Sequence, residues 1–407
     1  MSYIAVEKLK EGMVLDEDVH DLNTRLLLSK GQKIAPSHIR VLKIWGVTRV
    51  QIIGKETENA AGELSVDGID AEYLKKTINR IFKNANLSNA IIKEIYRASL
   101  IQRLISKEKK PSVQNPLWEA DQPPPEKPIK VREKINREDI QLPETPTIIT
   151  ELNKVIDDPL ATSDEVAQIV HTSPSLAAML LKIVNSAYYG FPSRIDRISR
   201  AVTIIGTKEI SGLALGLCVM EAFSDIPEEL IDMKAFIRHS LVCGMVARIL
   251  AAMNNVAETE QLFVAGLLHD VGKLIIHKYY PNHGKACLQL GNSSDMPVFQ
   301  AEKQIMGMTH PKFSKLLLKK WKFPAELTSN IVYHHAPGKA SDPKKAGIVH
   351  LADIIANGLG IGSSGERSIP HFDEPILVPL AISTDTVKLV VRQAVHQFGP
   401  MDAIFNE

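Results

Sequence analysis

Residues 265–276 read AGLLHDVGKLII. His269 and Asp270 stand side by side in an otherwise apolar, helical run, and Lys273 follows three residues later. Burying an ionisable pair with no partner costs on the order of several kcal/mol. Such a pair therefore calls for a cation or a closed hydrogen-bond network. The rest of the chain supplies further donors. His239, His310, His334, His335 and Asp353 each lie in or beside a segment with helical patterning. Together they predict a metal site inside a helical bundle.

The donor types narrow the chemistry. Histidine offers a neutral nitrogen and aspartate a charged oxygen, and mixed N/O sets suit Fe, Mn, Zn or Ni better than an oxygen-loving ion. Adjacent residues on a helix point about 100° apart. His269 and Asp270 therefore share a centre only if a helix end faces the bundle core. Neighbouring helices could bring His239 and Asp353 to that centre. His310, His334 and His335 could build a second centre, with Asp270 bridging. Two divalent ions would polarise a phosphoryl oxygen and acidify a bound water. Lys273 lies at i+3 from Asp270, on the same helix face. It could hold a phosphate oxygen or protonate a leaving group.

The same residues have plainer readings. A buried histidine is commonly a hydrogen-bonded core residue. His334-His335 could be a helix C-terminus that favours positive charge. His310-Pro311 could be a helix start, Lys273 a solvated charge, and His269-Asp270 an ion pair with no metal. Spacing alone leaves these open.

The chain has 407 residues, enough for two or three domains, with 48 Lys and Arg against 47 Asp and Glu. That balance, with only 5% aromatic residues, argues against nucleic acid as a partner. Cys218, Cys243 and Cys287 are far apart and show no CxxC spacing, which fits a reducing compartment and no cysteine zinc site. The N-terminus MSYIAVEKLKEGM lacks a signal-peptide pattern, and the apolar window 198–220 is broken by Arg200, Lys208 and Glu209. The expectation is a cytoplasmic protein with no membrane span.

Punctuation along the chain predicts its organisation. Residues 1–56 read as a small β-rich domain with strands at Tyr3–Val6, Arg25–Leu28 and Val47–Ile53 and a short helix at Ser37–Ile44. Its turns fall at Glu11-Gly12, Ser29-Lys30-Gly31 and Trp45-Gly46. Residues 69–106 are patterned as helix. Residues 107–135, rich in Pro and charge, read as a linker and the clearest domain boundary. Residues 139–360 form an almost wholly helical domain, and 361–407 a helical C-terminal extension. Thr162 and Glu165 fit a capping box. Helices are predicted at 199–204, 207–223, 228–253, 258–279, 297–307, 311–321, 324–335, 345–359 and 383–398. The leucines at 180–181 and 213–217 read as core, and Lys315, Lys319, Lys320 and Lys322 as a solvated face.

Several strings now combine. GLLHDVGKL, the upstream helix with His239, THP at 309–311, the histidine pair and HLADIIAN at 350–357 resemble the HD phosphohydrolase superfamily. The preceding LPETPTIITELNKVIDDPLATSDEVAQIV and SPSLAAMLLKIVNSAYYGFPSRIDRISRAVTIIG resemble the HDOD family, the HD-related output domain of bacterial signalling proteins. That likeness spans about 140–360. The N-terminal unit is similar, more weakly, to the small domain found ahead of HD-GYP domains.

The resemblance implies a mostly α fold, an all-helical HD-type bundle of two subdomains, and a role in signal transduction. HDOD domains are generally regarded as HD folds that have lost catalysis and act as output or interaction modules. Here His239, His269, Asp270, His310, His334, His335 and Asp353 each match a metal-ligand position of the HD-GYP pattern, and Lys273 matches its HDxGK lysine. The resemblance thus implies a divalent metal, one or two ions of Fe, Mn or Zn, with Asp270 and Lys273 as the catalytic pair if there is catalysis. After the histidine pair the HD-GYP pattern continues with an acidic residue and GYP. This chain has Ala336-Pro337-Gly338-Lys339, which argues against cyclic di-GMP hydrolysis. Ser173 stands where HDOD proteins usually have Asp before Pro. Asn185-Ser186-Ala187-Tyr188 is the HDOD hallmark, readable as a partner-facing loop or as a helix terminus.

Two functions follow as expectations. One is a signalling module that binds a protein partner or a small ligand such as a nucleotide or phosphate, its metal site structural or sensory. The other is a metal-dependent phosphohydrolase acting on a nucleotide or other phosphate ester.

Overall fold

The computed structural model describes residues 2–6, 9–20, 26–35, 38–39, 42, 49–52, 71–105, 140–158, 160–186, 189, 191, 193–294 and 296–398. The chain divides into two compact units, residues 1–67 and 68–407. The division falls ahead of the predicted helical segment rather than at the predicted 107–135 linker. That linker, Ala187, Tyr188, Trp45-Gly46 and residues 399–407 lie outside the described residues.

In the first unit β1 (Ser2–Ala5) pairs antiparallel with β4 (Arg49–Ile52), in register from Ser2 opposite Ile52 to Ala5 opposite Arg49. β2 (Val19–His20) pairs with β3 (Leu26–Leu28). Leu15, Ile34, Leu42 and Val50 fill its core. Gly12 and Gly31 take the left-handed conformation at the two predicted turns they occupy (φ 90 and 80). The expected β-rich domain thus reduces, among the described residues, to four short strands in two pairs.

The second unit is helical. It opens with α1 (Ala71–Ile81) and α2 (Ala90–Ile105). Next come α3 (Thr147–Asp157), α4 (Ser163–His171), α5 (Pro174–Val184), α6 (Ile198–Ile205) and α7 (Thr207–Glu221). The predicted capping box starts α4, with Glu165 N–H donating to Thr162 Oγ1 and Thr162 N–H to Glu165 Oε2. Ser173 caps α5 as an aspartate would, accepting the Leu176 N–H, with Pro174 in the first turn. Asn185 ends α5. Its amide donates to Leu181 O and Ile195 O, and its carbonyl accepts from Ile195 N–H. The described part of the hallmark is therefore a helix terminus stapled to the next loop.

Then follow α8 (Met233–Met253), α9 (Thr259–Leu268), α10 (Val271–Tyr279) and α11 (Pro281–Ser293). After these come α12 (Val298–Ile305), α13 (His310–Lys320), α14 (Ala325–Val332), α15 (Pro343–Leu359), the short α16 (Leu377–Leu380) and α17 (Thr384–Phe398). The sequence pattern did not predict α11. It also predicted one helix over 258–279, which breaks at His269 and Asp270.

Helix α8 is long and apolar enough to cross a membrane, yet 67% of that window is buried, with α9, α15 and α17 packed on it. It is the central helix of the bundle. The α8–α9 crossing is close: a β-carbon on Gly266 would sit 2.7 Å from Gly244 Cα and 2.8 Å from the Cys243 carbonyl oxygen. Helix α2 packs on α15 and α17. Arg103 Nη1 donates to the carbonyls of Gly358 (3.0 Å) and Leu359 (3.1 Å), which closes the C-terminus of α15. Residues 71–105 thus share one hydrophobic core with the helices after the linker.

Candidate metal centre

The break between α9 and α10 decides where His269 and Asp270 point. In an unbroken helix the Gly266 carbonyl would accept the Asp270 N–H. Here His269 Nδ1 binds that carbonyl instead, at 2.7 Å. A carbonyl only accepts, so Nδ1 carries a proton, and in the neutral ring the lone pair is left on Nε2. The chain turns at this point, and both side chains face the core, with His269 Nε2 3.2 Å from Asp270 Oδ2. The same arrangement recurs at His334, two residues past the end of α14. Its Nδ1 donates to Ile331 O at 2.7 Å, again three residues back. His310 opens α13, and its Nδ1 is held by Glu302 at 2.9 Å, while Glu302 also accepts the His310 N–H at 2.7 Å. In all three rings Nδ1 is anchored and Nε2 faces the centre. Anchoring of this kind is how proteins orient imidazole ligands.

Gly272 makes the α10–α13 contact possible. A β-carbon there would run into the His310 carbonyl, and the Gly272 N–H donates to Ser314 Oγ at 3.0 Å. The residue between Val271 and Lys273 thus sets how near His310 comes to Asp270.

The predicted residues gather into two adjoining groups. In the first, His239 Nε2 lies 3.3 Å from His269 Nε2 and 3.3 Å from Asp353 Oδ1, and His269 Nε2 also lies 3.3 Å from Asp353 Oδ1. Asp270 Oδ2 is 4.0 Å from His239 Nε2. In the second, ligand atoms of His310, His334 and His335 lie within 4.8 Å of one another. Asp270 Oδ1 joins the groups, 3.1 Å from His310 Nε2 and 3.9 Å from His334 Nε2. His239, His269, Asp270, His310, His334 and Asp353 are all buried, and His335 is half-buried against Phe299.

A cation fits this donor set. Because His310 Nδ1 is bound to Glu302, a neutral ring would turn its Nε2 lone pair on Asp270 Oδ1 at 3.1 Å, so a proton or a metal ion must lie between the two atoms. The Nε2 atoms of His334 and His335 are buried with no hydrogen-bond partner. Opposed buried lone pairs repel unless a proton or metal ion lies between them. With no ion, the protein's own charges distort the titration. Burial would lower His310, but the Glu302 and Asp270 carboxylates hold it up at about 9. Burial, with His269 and His310 adding to it, pushes His334 down to about 3. Burial would raise the Asp270 carboxyl, but His269 and Lys273 hold it well below the usual range. The residues could therefore hold a metal ion.

Lys273 is buried. Its ammonium donates to Asp270 Oδ2 (2.9 Å), Ser364 Oγ (3.1 Å) and Glu366 Oε1 (3.2 Å), so it is not the solvated charge that was the plainer reading. Lys315, Lys319, Lys320 and Lys322 are exposed as expected.

Sequence reading missed the residues behind the ligands. Asn357 Nδ2 donates to Asp353 Oδ1 at 2.7 Å. His350 Nδ1 donates to the His334 carbonyl at 2.7 Å, and its Nε2 accepts the Asp373 N–H at 3.1 Å. Both lie in HLADIIAN, Asn357 at i+4 from Asp353, so a helical projection could have found Asn357. Glu302, Ser364 and Glu366 belong to no motif and carry no such signal.

Comparisons with known proteins bear on the family and the fold. Residues 142–337 match the HDOD domain family. A protein of unknown function from Treponema pallidum is 23% identical over 195 residues, or 48% of this chain and 37% of that protein. The chain thus spans little more than a third of that relative's length. Among solved structures, an HDOD domain protein of unknown function from Geobacter sulfurreducens superposes with a TM-score of 0.54 at 23% identity, over 66% of this chain and 93% of its own. A candidate signal transduction protein from Marinobacter aquaeolei VT8 gives 0.54 at 21% identity, over 68% and 62%. A candidate phosphohydrolase from Shewanella amazonensis SB2B gives 0.52 at 21%, over 64% and 95%. At these identities the likeness is one of fold.

Proposed function

Because residues 142–337 of this chain are an HDOD domain, we propose that the protein is a bacterial signal-transduction component whose HD-type centre holds divalent metal. The observation that carries the metal reading is the buried cluster of imidazole Nε2 atoms turned toward the Asp270 carboxylate. His239, His269, Asp270 and Asp353 would hold one ion, and His310, His334 and His335 a second, with Asp270 shared. Ions of the Fe, Mn or Zn type would supply Lewis acidity to a bound phosphoryl oxygen or water. The chain's own residues fix the rest. Gly266 O, Ile331 O and Glu302 orient three imidazoles, Asn357 orients Asp353, and Lys273 places a positive charge beside Asp270.

In this reading the ions organise the core and the output is contact with a protein partner. It is supported by the HDOD match and by Ala336-Pro337-Gly338-Lys339, of which Pro337–Lys339 form a short 3₁₀ turn, where the HD-GYP pattern has its acidic residue and GYP. A second reading, a metal-dependent phosphohydrolase acting on a nucleotide or other phosphate ester, is favoured by one observation: Lys273 is buried against Asp270. A phosphate-ester screen with added Mn or Fe separates the two. The signalling reading expects metal-loaded protein with no turnover. Turnover that vanishes in Asp270→Ala overturns it and establishes the hydrolase.

A further inference from the structure

The stretch after α15, residues 360–366, reads GIGSSGE and folds back onto the metal centre. Gly360, Gly362 and Gly365 all take positive φ (69, 75 and 100), a backbone that glycine adopts without strain. A β-carbon on Gly362 would run into the α8 backbone at Ala235 and His239. The Ser363 N–H donates to the Ala235 carbonyl at 3.0 Å. This strap therefore lies along the turn of α8 that carries His239. Beyond it Ser364 and Glu366 reach Lys273. The second Glu366 oxygen accepts the N–H of Val298, the first residue of α12, at 3.3 Å. The Lys273 and Glu366 side chains are only 3% and 4% exposed.

A buried ammonium and a helix-terminal N–H thus converge on one carboxylate beside the shared aspartate. Those are the donors that bind a phosphoryl oxygen. A buried ion pair adds little net stability over apolar packing, so its presence here calls for another explanation. We propose that Glu366 is a resident anion: the strap seats its carboxylate in an anion site formed by Lys273 Nζ and the Val298 N–H, and a phosphate-bearing ligand takes that site when the strap lifts. The inference rests on Lys273 as an anion-binding residue beside the metal centre and does not require catalysis. It makes the strap an autoinhibitory contact, with ligand binding reported by its release.

Inorganic phosphate is the probe, titrated by calorimetry into the full chain, with hydrogen exchange followed over residues 360–368. Wild type should bind phosphate weakly, and exchange in the strap should rise as phosphate binds. Glu366→Gln should bind about tenfold tighter or more, since one charge-assisted competitor is gone. Gly365→Ala strains the strap without altering a charge and should also tighten binding. Unchanged or weaker affinity in both variants, or phosphate binding that leaves strap exchange unaltered, overturns the proposal. Metal content measured on the same samples keeps the two ideas apart. Metal-free protein with tightened phosphate binding refutes the metal centre alone, and metal-loaded variants with unchanged affinity refute the anion site alone.

Discussion

Glu302 shows how much a single residue outside any motif contributes. It accepts two hydrogen bonds from His310 and so fixes which nitrogen of that ring is free. Removing such an orienting partner typically costs about 10–100-fold in metal affinity. Glu302→Ala should weaken the second ion by that order and leave the first in place, as read by competition with a chromogenic chelator. Equal weakening of both ions would contradict the two-group arrangement. His277 makes a different prediction. Burial, with Lys273 four residues earlier, pushes its imidazole down to about 4. Its pKa in the unfolded chain is about 6.5. Between these values the unfolded state binds a proton that the native state does not, so stability falls as pH drops through that window. The loss from this group is up to roughly 3 kcal/mol. His277→Gln should flatten the fall, measured by urea unfolding at several pH values. A variant with the wild-type pH dependence would contradict it.

At the scale of elements, the centre depends on close helix crossings. Gly266→Ala forces α9 away from α8. An overpacked contact of this kind costs about 1–3 kcal/mol. It also separates His269 from His239, so a lower melting temperature should come with lower metal content. A destabilised protein with full metal content would show that the crossing does not set ligand spacing. These elements also show what was legible in the sequence. Caps and apolar spacing marked most helices because those signals are local, as at Thr162 and Pro174. The break at His269-Asp270 was not legible, because the apolar run continues through it and the interrupting hydrogen bond comes from the His269 ring. The seven proposed ligands were legible through their likeness to a known pattern. Spacing along the chain says nothing of Glu302, Ser364 or Glu366, which only the fold brings near.

At the scale of the molecule, the helices before the linker belong to the same core as those after it. Leu74, Ile78, Phe82, Ile91, Ile92 and Ile95 are buried in that core. Each such side chain contributes about 1.5–3 kcal/mol by burial. A fragment of residues 139–407 should therefore unfold at much lower urea than one of residues 71–407. Equal midpoints would show that α1 and α2 merely rest on the bundle. The central claim is that the imidazoles gathered around Asp270 hold metal, and elemental mass spectrometry on protein purified without chelator tests it most directly. About two Fe, Mn or Zn ions per chain, absent from Asp270→Ala, is the expected result. No metal in the wild-type chain, even after anaerobic reconstitution, would contradict it and leave His269 and Asp270 as a buried ion pair of a partner-binding module.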